Sequence, residues 1–493
     1  MLRNLIALFT FFIIYTSCEL KEDNPLNTDS VIITGTVHQF DRNNVEMYYL
    51  FSQPGRKQEK IPIALDSLGK FRFELKSSLP MDALIVDKKT MSFINFIYHP
   101  GDSINIEFSA VDNSMSLLKT VCFTGDRKET NNDLILFQRL REENRLGYDV
   151  IDPTKAYQLD VKEFIQKMDT VKQNQLKFYN HFIYELLPND EVKQWTRQYV
   201  LQSYYNYLDE YSMGKKNLPC DYFDYNKEIL PLTPEKLVGW SNLSSRINSY
   251  WMNIVVKNIV ASAPDNIEGA KNFDADSLLL NYFNSNIQDK LLSELLIARY
   301  YRSQLEGNRI EGFEKHETEI ATMIKTPLIM NNLKNNYSSA RAFLNKPDIY
   351  TKEVLKNMNG IPMEDTFSTI LEENQGKVLF IDFWATWCGP CIKAMPDSKK
   401  LIEVYQGKEV AFIYICIESE DDLWRRMVSD FNLGGGKHYL LNWEQSSYFR
   451  KDLDIPAIPE YILIDKDKNI VEKGRHLSPG AKLTKEKIDE LLY

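Results

Sequence analysis

Apolar and polar positions follow three different rhythms along the 493-residue chain. Between residues 30 and 125 the rhythm is period two, in short bursts. Val31 to Val37 is a β-branched run, and Val45 to Phe51 follows a polar turn at Asp41-Arg42-Asn43-Asn44. Phe71 to Leu75 alternates after the turn signal Ser67-Leu68-Gly69-Lys70, and Ile104 to Phe108 alternates after Pro100-Gly101-Asp102. Strands this short and closely spaced predict a β-sandwich-like module. Residues 130–345 carry Leu, Ile, Tyr and Trp at helical spacing with little Pro, which predicts a central all-α region. Thr233-Pro234-Glu235 reads as a helix start with Pro in the first turn. The stripe Trp195, Tyr199, Tyr204, Tyr205, Tyr207, Tyr211 predicts a packed helix interface, with a ligand groove as the alternative. Residues 346–375 join this region to a C-terminal α/β domain whose core is 376–493. There Lys377–Phe383 and Val410–Ile417 are near-continuous apolar runs, as expected of strands buried on both faces. A helix over Glu420–Phe431, ended by Gly434–Gly436, comes next. A hairpin of Tyr461–Asp465 and Ile470-Val471 and a closing helix over Thr484–Leu492 complete the pattern.

The amino-terminal end follows none of these rhythms. Met1-Leu2-Arg3-Asn4 precedes an unbroken apolar run from Leu5 to Tyr15, too short to cross a bilayer but suited to the h-region of a signal peptide. Thr16-Ser17-Cys18 then resembles a bacterial lipoprotein processing site, with Tyr15 where an aliphatic residue is usual. The resemblance implies a signal peptide over 1–17, a lipidated Cys18 and a polar tether over 18–29. The protein would be anchored in the cell envelope by acyl chains at ~0.8 kcal/mol per buried CH₂, facing the periplasm. The acidic cluster just after Cys18 is similar to surface-export signals of some Gram-negative lipoproteins.

Fifty-nine Lys and Arg stand against 69 Asp and Glu, a formal charge of −10, which excludes the basic face a nucleic-acid binder needs. Six Cys are too few and too scattered for a disulfide scaffold of this size. Cys122, Cys220 and Cys416 are expected in the core, although a Cys122–Cys220 disulfide remains open in an exported protein. His438 and His476 are expected to face solvent.

The other two cysteines carry the chemistry. Cys388-Gly389-Pro390-Cys391 follows a buried strand and opens a helix, the context in which C-x-x-C signals redox chemistry. At a helix N-terminus, free N–H groups and the helix dipole favour a thiolate, so an exposed Cys388 is expected to ionise near neutrality and act as the nucleophile. Cys391, one turn further in, would resolve the mixed disulfide. Asp382, on the buried strand, is a carboxylate in apolar surroundings that could take the Cys391 proton through a water. Trp384 and Trp387 are expected to shield the dithiol. Ile458-Pro459, just before a strand, is the expected cis-proline that presents the Ile458 backbone to an extended substrate. No cofactor is expected beyond the redox-active disulfide, because the two sulfurs carry the electrons. No metal is expected either: a structural zinc needs four ligands and no second pair is near.

Residues 376–493 resemble the thioredoxin-like domain of the TlpA/ResA-type exported thiol–disulfide oxidoreductases. The carriers are FWATWCGPC at 383–391, Pro396, and AIPEYILID at 457–465. The stretch 30–125 resembles the small β-domain that often precedes such domains. The family resemblance implies a protein disulfide reductase acting on disulfide-containing exported proteins and re-reduced by a membrane electron-donor thiol protein. The Gly-Pro pair resembles that of reducing thioredoxins. Two departures stand out. Many relatives have Glu where this chain has Ala394, and Thr where it has Glu460. A redox-inactive binding or scaffold lipoprotein built on the same fold is the alternative.

Overall fold

The computed structural model describes residues 29–492 except 41–46, 57, 89–90, 111–113, 145–154, 156–157, 216, 262–273, 348 and 352. The leader, Cys18 and the polar turn expected at 41–44 lie outside the described residues.

Eight strands build a sandwich: β1 (Asp29–His38), β2 (Met47–Phe51), β3 (Glu59–Pro62), β4 (Lys70–Ser77), β5 (Met81–Asp87), β6 (Ser92–Tyr98), β7 (Ser103–Ser109) and β8 (Cys122–Gly125). One sheet has the order β4-β1-β7-β8 and the other β3-β2-β5-β6. Only β1 and β7 pair in parallel. Gly35 sits where β1 passes β7, and a Cβ there would overlap the Ile106 carbonyl and the Phe71 ring. The strands expected from alternation are present. β5 and β6 were not foreshadowed, because they are buried at nearly every position and so do not alternate. Their outer face is covered by helices. Asn131, from the helix Lys128–Glu143, accepts the Ile97 N–H at 2.7 Å and donates to the Ile97 carbonyl at 3.0 Å. Asn95 Nδ2 donates to Gln138 Oε1 at 2.8 Å.

Strands give way to helices near residue 128, yet one apolar cluster runs from Val31 through both layers to Ala340. Its polar bolt is Asp82 on β5. Although 3% exposed, that carboxylate accepts the Trp195 indole N–H at 2.8 Å, the Ser241 N–H at 2.9 Å and the Ser241 hydroxyl. The helices Val161–Leu186 and Asp190–Met213 pack beside each other. On the second, Trp195, Tyr204, Tyr205 and Tyr211 are buried, and Tyr211 stacks on Phe164 at 3.8 Å. The aromatic stripe is thus a packed interface. Pro234 does begin a helical segment, but Pro234–Gly239 is a single 3₁₀ stretch.

The C-terminal sheet has six strands, two more than the apolar runs indicated: β9 (Leu355–Asn357), β10 (Val378–Trp384), β11 (Val410–Cys416), β12 (Lys437–Leu440), β13 (Glu460–Ile464) and β14 (Ile470–Lys473). Their order is β14-β13-β10-β11-β12-β9. β10, β11, β12 and β9 pair in parallel, β13 pairs antiparallel with β10, and β14 pairs antiparallel with β13. β9 and β12 have three and four residues, too short for periodicity to register. β10 is buried at all seven positions and divides the domain into two apolar clusters, one per face. The helix Asp421–Phe431 is ended by Asn432 at φ 54°, ahead of the glycines expected to stop it. Among the described residues, no helix is long and apolar enough to cross a membrane.

Asp82→Ala is expected to leave the buried Trp195 indole N–H and two half-buried Ser241 donors without an acceptor and to cost about 3 kcal/mol, read as a lower urea midpoint at unchanged slope.

Candidate functional site

The site is assembled at one edge of the six-stranded sheet, where β10 runs into the helix Gly389–Val404. Cys388 is the residue capping that helix, and its Sγ accepts the Cys391 N–H at 3.2 Å. The helix N-terminus therefore already points a backbone donor at the sulfur that would carry charge. Pro390 lies in the first turn, where its missing N–H leaves no bond unmade. Pro396 lies inside the same helix.

Cys388 and Cys391 are joined by a disulfide. Cys391 is 1% exposed, and Cys388, expected at the surface, is only 4% exposed. The correction has a local cause. Cys388 packs in the same apolar cluster as Trp384 and Met395, while Trp387, Gly389 and Pro390 around it are exposed. The two tryptophans differ accordingly. Trp384 is fully buried, and Trp387 is 44% exposed. Trp387 is held by its indole N–H, which donates to the Glu418 carbonyl at 2.8 Å.

The register of β10 against β13 pairs Phe383 with Glu460. Onward from Phe383 the chain leads to Cys388, and backward from Glu460 it leads to Pro459 and Ile458. Both segments thus leave the sheet at the same edge. The Ile458–Pro459 peptide bond is cis, and Ile458 packs against the cluster that contains both cysteines. Glu460 is 7% exposed, and burial pushes its carboxyl above the usual range while Lys473, Arg475 and His476 pull the other way.

Asp382 is 1% exposed, and its Oδ1 has no hydrogen-bond partner. Its neighbours across the sheet are Tyr414 on β11 and Tyr461 on β13. Burial alone raises its pKa to about 8. Cys416, level with Trp384 on β11, is fully buried, and burial pushes its thiol up to about 12. It is a core thiol, as expected. Cys122 and Cys220 are free and exposed instead. Cys122 sits at the start of β8, where only Phe123 is buried, and Cys220 in the chain between helices, so neither is on a core face. His438 also departs from expectation. It is fully buried on β12, stacked on Tyr414 at 4.7 Å, with its Nε2 2.9 Å from the Leu433 carbonyl. A carbonyl only accepts, so Nε2 carries the proton, and burial lowers the ring's pKa to about 4. His476 is surface-exposed and pairs with Glu472.

A hydrogen-bond network beside the cysteine pair has no sequence motif. Glu418 has a φ of 50°, and its carboxylate accepts Arg450 Nε at 2.7 Å and Nη2 at 3.2 Å. Ser419 Oγ accepts the Thr386 N–H at 3.0 Å. The loop after β11 thus holds the segment that precedes Cys388 and the ring of Trp387. The only sequence signal was a run of polar residues directly after a buried strand. Among the described residues, no group of three or more His, Cys, Asp or Glu is arranged to hold a metal.

A family model described as Redoxin matches residues 362–492. The thiol-disulfide oxidoreductase ResA of Bacillus thuringiensis is 28% identical over 122 residues, which are 25% of this chain and 65% of that protein. ResA of Oceanobacillus iheyensis is 25% identical over 105 residues, 21% of this chain and 52% of that one. The matched part thus spans less than two thirds of the length of these curated relatives. A crystal structure of a candidate thiol-disulfide oxidoreductase from Bacteroides vulgatus is 32% identical, covering 25% of this chain and 83% of that one at a TM-score of 0.22. The Redoxin model and the ResA relatives thus make the C-terminal segment, which holds the six-stranded sheet and the Cys388–Cys391 pair, similar to thioredoxin-like thiol-disulfide oxidoreductases.

Proposed function

We propose that the protein is a thiol–disulfide oxidoreductase working in the reducing direction on disulfides of exported proteins. The observation that carries this reading is Cys388, placed at a helix N-terminus with its sulfur accepting a backbone N–H and bonded to Cys391. In the dithiol state that donor and the helix dipole favour the Cys388 thiolate, which attacks one sulfur of a substrate disulfide. The Cys388–substrate bond forms, and the substrate's other sulfur leaves as a thiolate. Cys391 then attacks Cys388, restoring the internal disulfide and releasing the second substrate thiol. Two electrons have moved to the substrate. Asp382 takes the Cys391 proton through a water and hands it to solvent. Trp387 and the Ile458 backbone flank the exposed side of the pair and bind the substrate's extended chain.

The Gly-Pro pair puts no histidine beside the thiolate, so the dithiol is not over-stabilised and gives up its electrons readily. Continued turnover requires a thiol electron donor at the membrane. The leader and Cys18 support an envelope location with the body tethered by lipid and facing the periplasm.

Insulin reduction tests the reading. Wild type is expected to precipitate insulin chains in the presence of a dithiol reductant, and Cys388→Ser to lose at least ~10³-fold of that rate. A Cys388→Ser protein as active as wild type sinks the proposal. Cys391→Ser should accumulate a mixed disulfide visible on non-reducing gels. The redox potential should lie near the thioredoxin value of about −270 mV and far from the DsbA value of about −120 mV.

Asp382 gives a pH test. Its carboxyl is raised to about 8, and only the carboxylate accepts a proton, so turnover should climb as pH rises through about 8. Asp382→Asn should flatten that climb and slow turnover by roughly 10²-fold. Stability should move in the opposite sense. A carboxyl raised by folding favours the native state below its unfolded pKa, and that advantage disappears as pH rises through the folded value. Wild type should therefore lose urea resistance relative to Asp382→Asn between about pH 4 and pH 9.

A further inference from the structure

The helical region holds a polar cavity that the redox chemistry does not use. It is about 50 Å³, lined by the helices Asp190–Met213 and Trp240–Tyr250 and the 3₁₀ turns between them, and open on one side. Five polar atoms of its lining are buried and have no partner: Arg246 Nε, Arg246 Nη1, Asn242 Nδ2, Gln198 Oε1 and Gln202 Oε1. Arg246 is 4% exposed. Its guanidinium lies 3.4 Å from the centre of the Tyr205 ring, and Nη2 donates to the Tyr225 carbonyl at 3.0 Å, so the group is fixed in place. Both glutamine amides are oriented by their nitrogens, which donate to the Lys236 carbonyl at 3.0 Å and to Asn206 Oδ1 at 2.7 Å. Their oxygens are left as acceptors.

The charge around the cavity is positive. Arg197, Lys236 and Arg246 line it against one carboxylate, Glu228. That carboxylate already accepts Lys172 at 2.6 Å and the Tyr205 hydroxyl at 3.0 Å. Two further carboxylates act on these cations, and each is engaged elsewhere. Asp209 accepts Tyr225, Ser249 and Asn253, and Asp289 accepts the Leu232 and Leu292 N–H groups. A larger cleft of about 630 Å³ shares Gln194 and Arg197 with the cavity.

A buried guanidinium with Nε and Nη1 unsatisfied is costly unless something supplies acceptors. The volume takes roughly three to five waters at 10–15 Å³ each, the size of one small oxyanion. The two glutamine oxygens add a requirement, because a bare oxyanion has nothing to donate to them. We infer that this cavity binds an oxyanion bearing hydroxyls, of the size and chemistry of dihydrogen phosphate, with Arg246 and Asn242 donating to its oxygens and Gln198 and Gln202 each accepting from one of its two O–H groups.

Titration calorimetry of the full-length protein with inorganic phosphate, and separately with sulfate, near neutral pH in a non-phosphate buffer tests this. Sulfate has the same shape but no proton to give. Phosphate should bind at one site, and sulfate at least ~10-fold more weakly, because a site built around a substrate O–H rejects the analogue lacking it. Arg197→Ala, at the exposed mouth, should weaken phosphate several-fold. Arg246→Gln should abolish binding. Should that variant fold poorly, Gln202→Leu, at a partly exposed position, should narrow the gap between phosphate and sulfate. Absence of saturable phosphate binding up to ~10 mM overturns the inference and leaves the cavity to water. Equal affinity for the two anions, or phosphate binding untouched by Arg197→Ala and Gln202→Leu, shows an adventitious ion only and overturns it as well.

Discussion

The C-terminal domain depends on one contact, the Cys391 N–H pointed at the Cys388 sulfur from the first turn of a helix. Everything around it keeps that turn where it is. β10 is buried along its whole length, so its end cannot shift without disturbing both apolar clusters of the domain. The loop after β11 fixes Thr386 and Trp387 through Ser419 and Glu418. The cis bond at Ile458–Pro459 closes the other side. The sulfur chemistry is thus set by backbone groups on a rigid sheet, and few side chains are asked to contribute charge.

Asp382 and Cys416 show what the same burial does to ionisable groups. Both are held neutral near pH 7 by removal from water, and Asp382 has one oxygen with no partner. Behind an electropositive helix end lies a layer that resists negative charge. The helix N-terminus at Cys388 favours negative charge, whereas burial at Asp382 and Cys416 disfavours it.

The sequence revealed those parts of the fold whose signals are local. The apolar runs at 377–383 and 410–417, the C-x-x-C after the first of them, and the Ile-Pro before a strand all depend on residues adjacent in the chain. The sequence was silent where partners come from afar. β5 and β6 lost their alternation because helices cover their second face. His438 looked like a loop residue because the strand that buries it is four residues long. Arg450 reaches Glu418 across 32 positions, and no spacing rule links them. Cys122 and Cys220 were misplaced because cysteine's general preference for cores outweighs any local cue when no pattern surrounds it. Arg246 resembled any helical arginine until the tyrosine rings around it were in view.

The apolar cluster from Val31 to Ala340 bears on how such a chain can be divided. Severing it near residue 128 would strip helices from β5 and β6 and open a continuous oily face to water. The chain around 346–354 is different. It meets the redox domain through the pair Lys346 and Asp430 and a hydrogen bond from Tyr350 to Asn432 at 2.8 Å, with Phe343, Leu344 and Val354 packed at the margin of the C-terminal cluster. The two apolar clusters part there, one ending at Ala340 and the other beginning at Leu355, just ahead of the segment shared with known relatives.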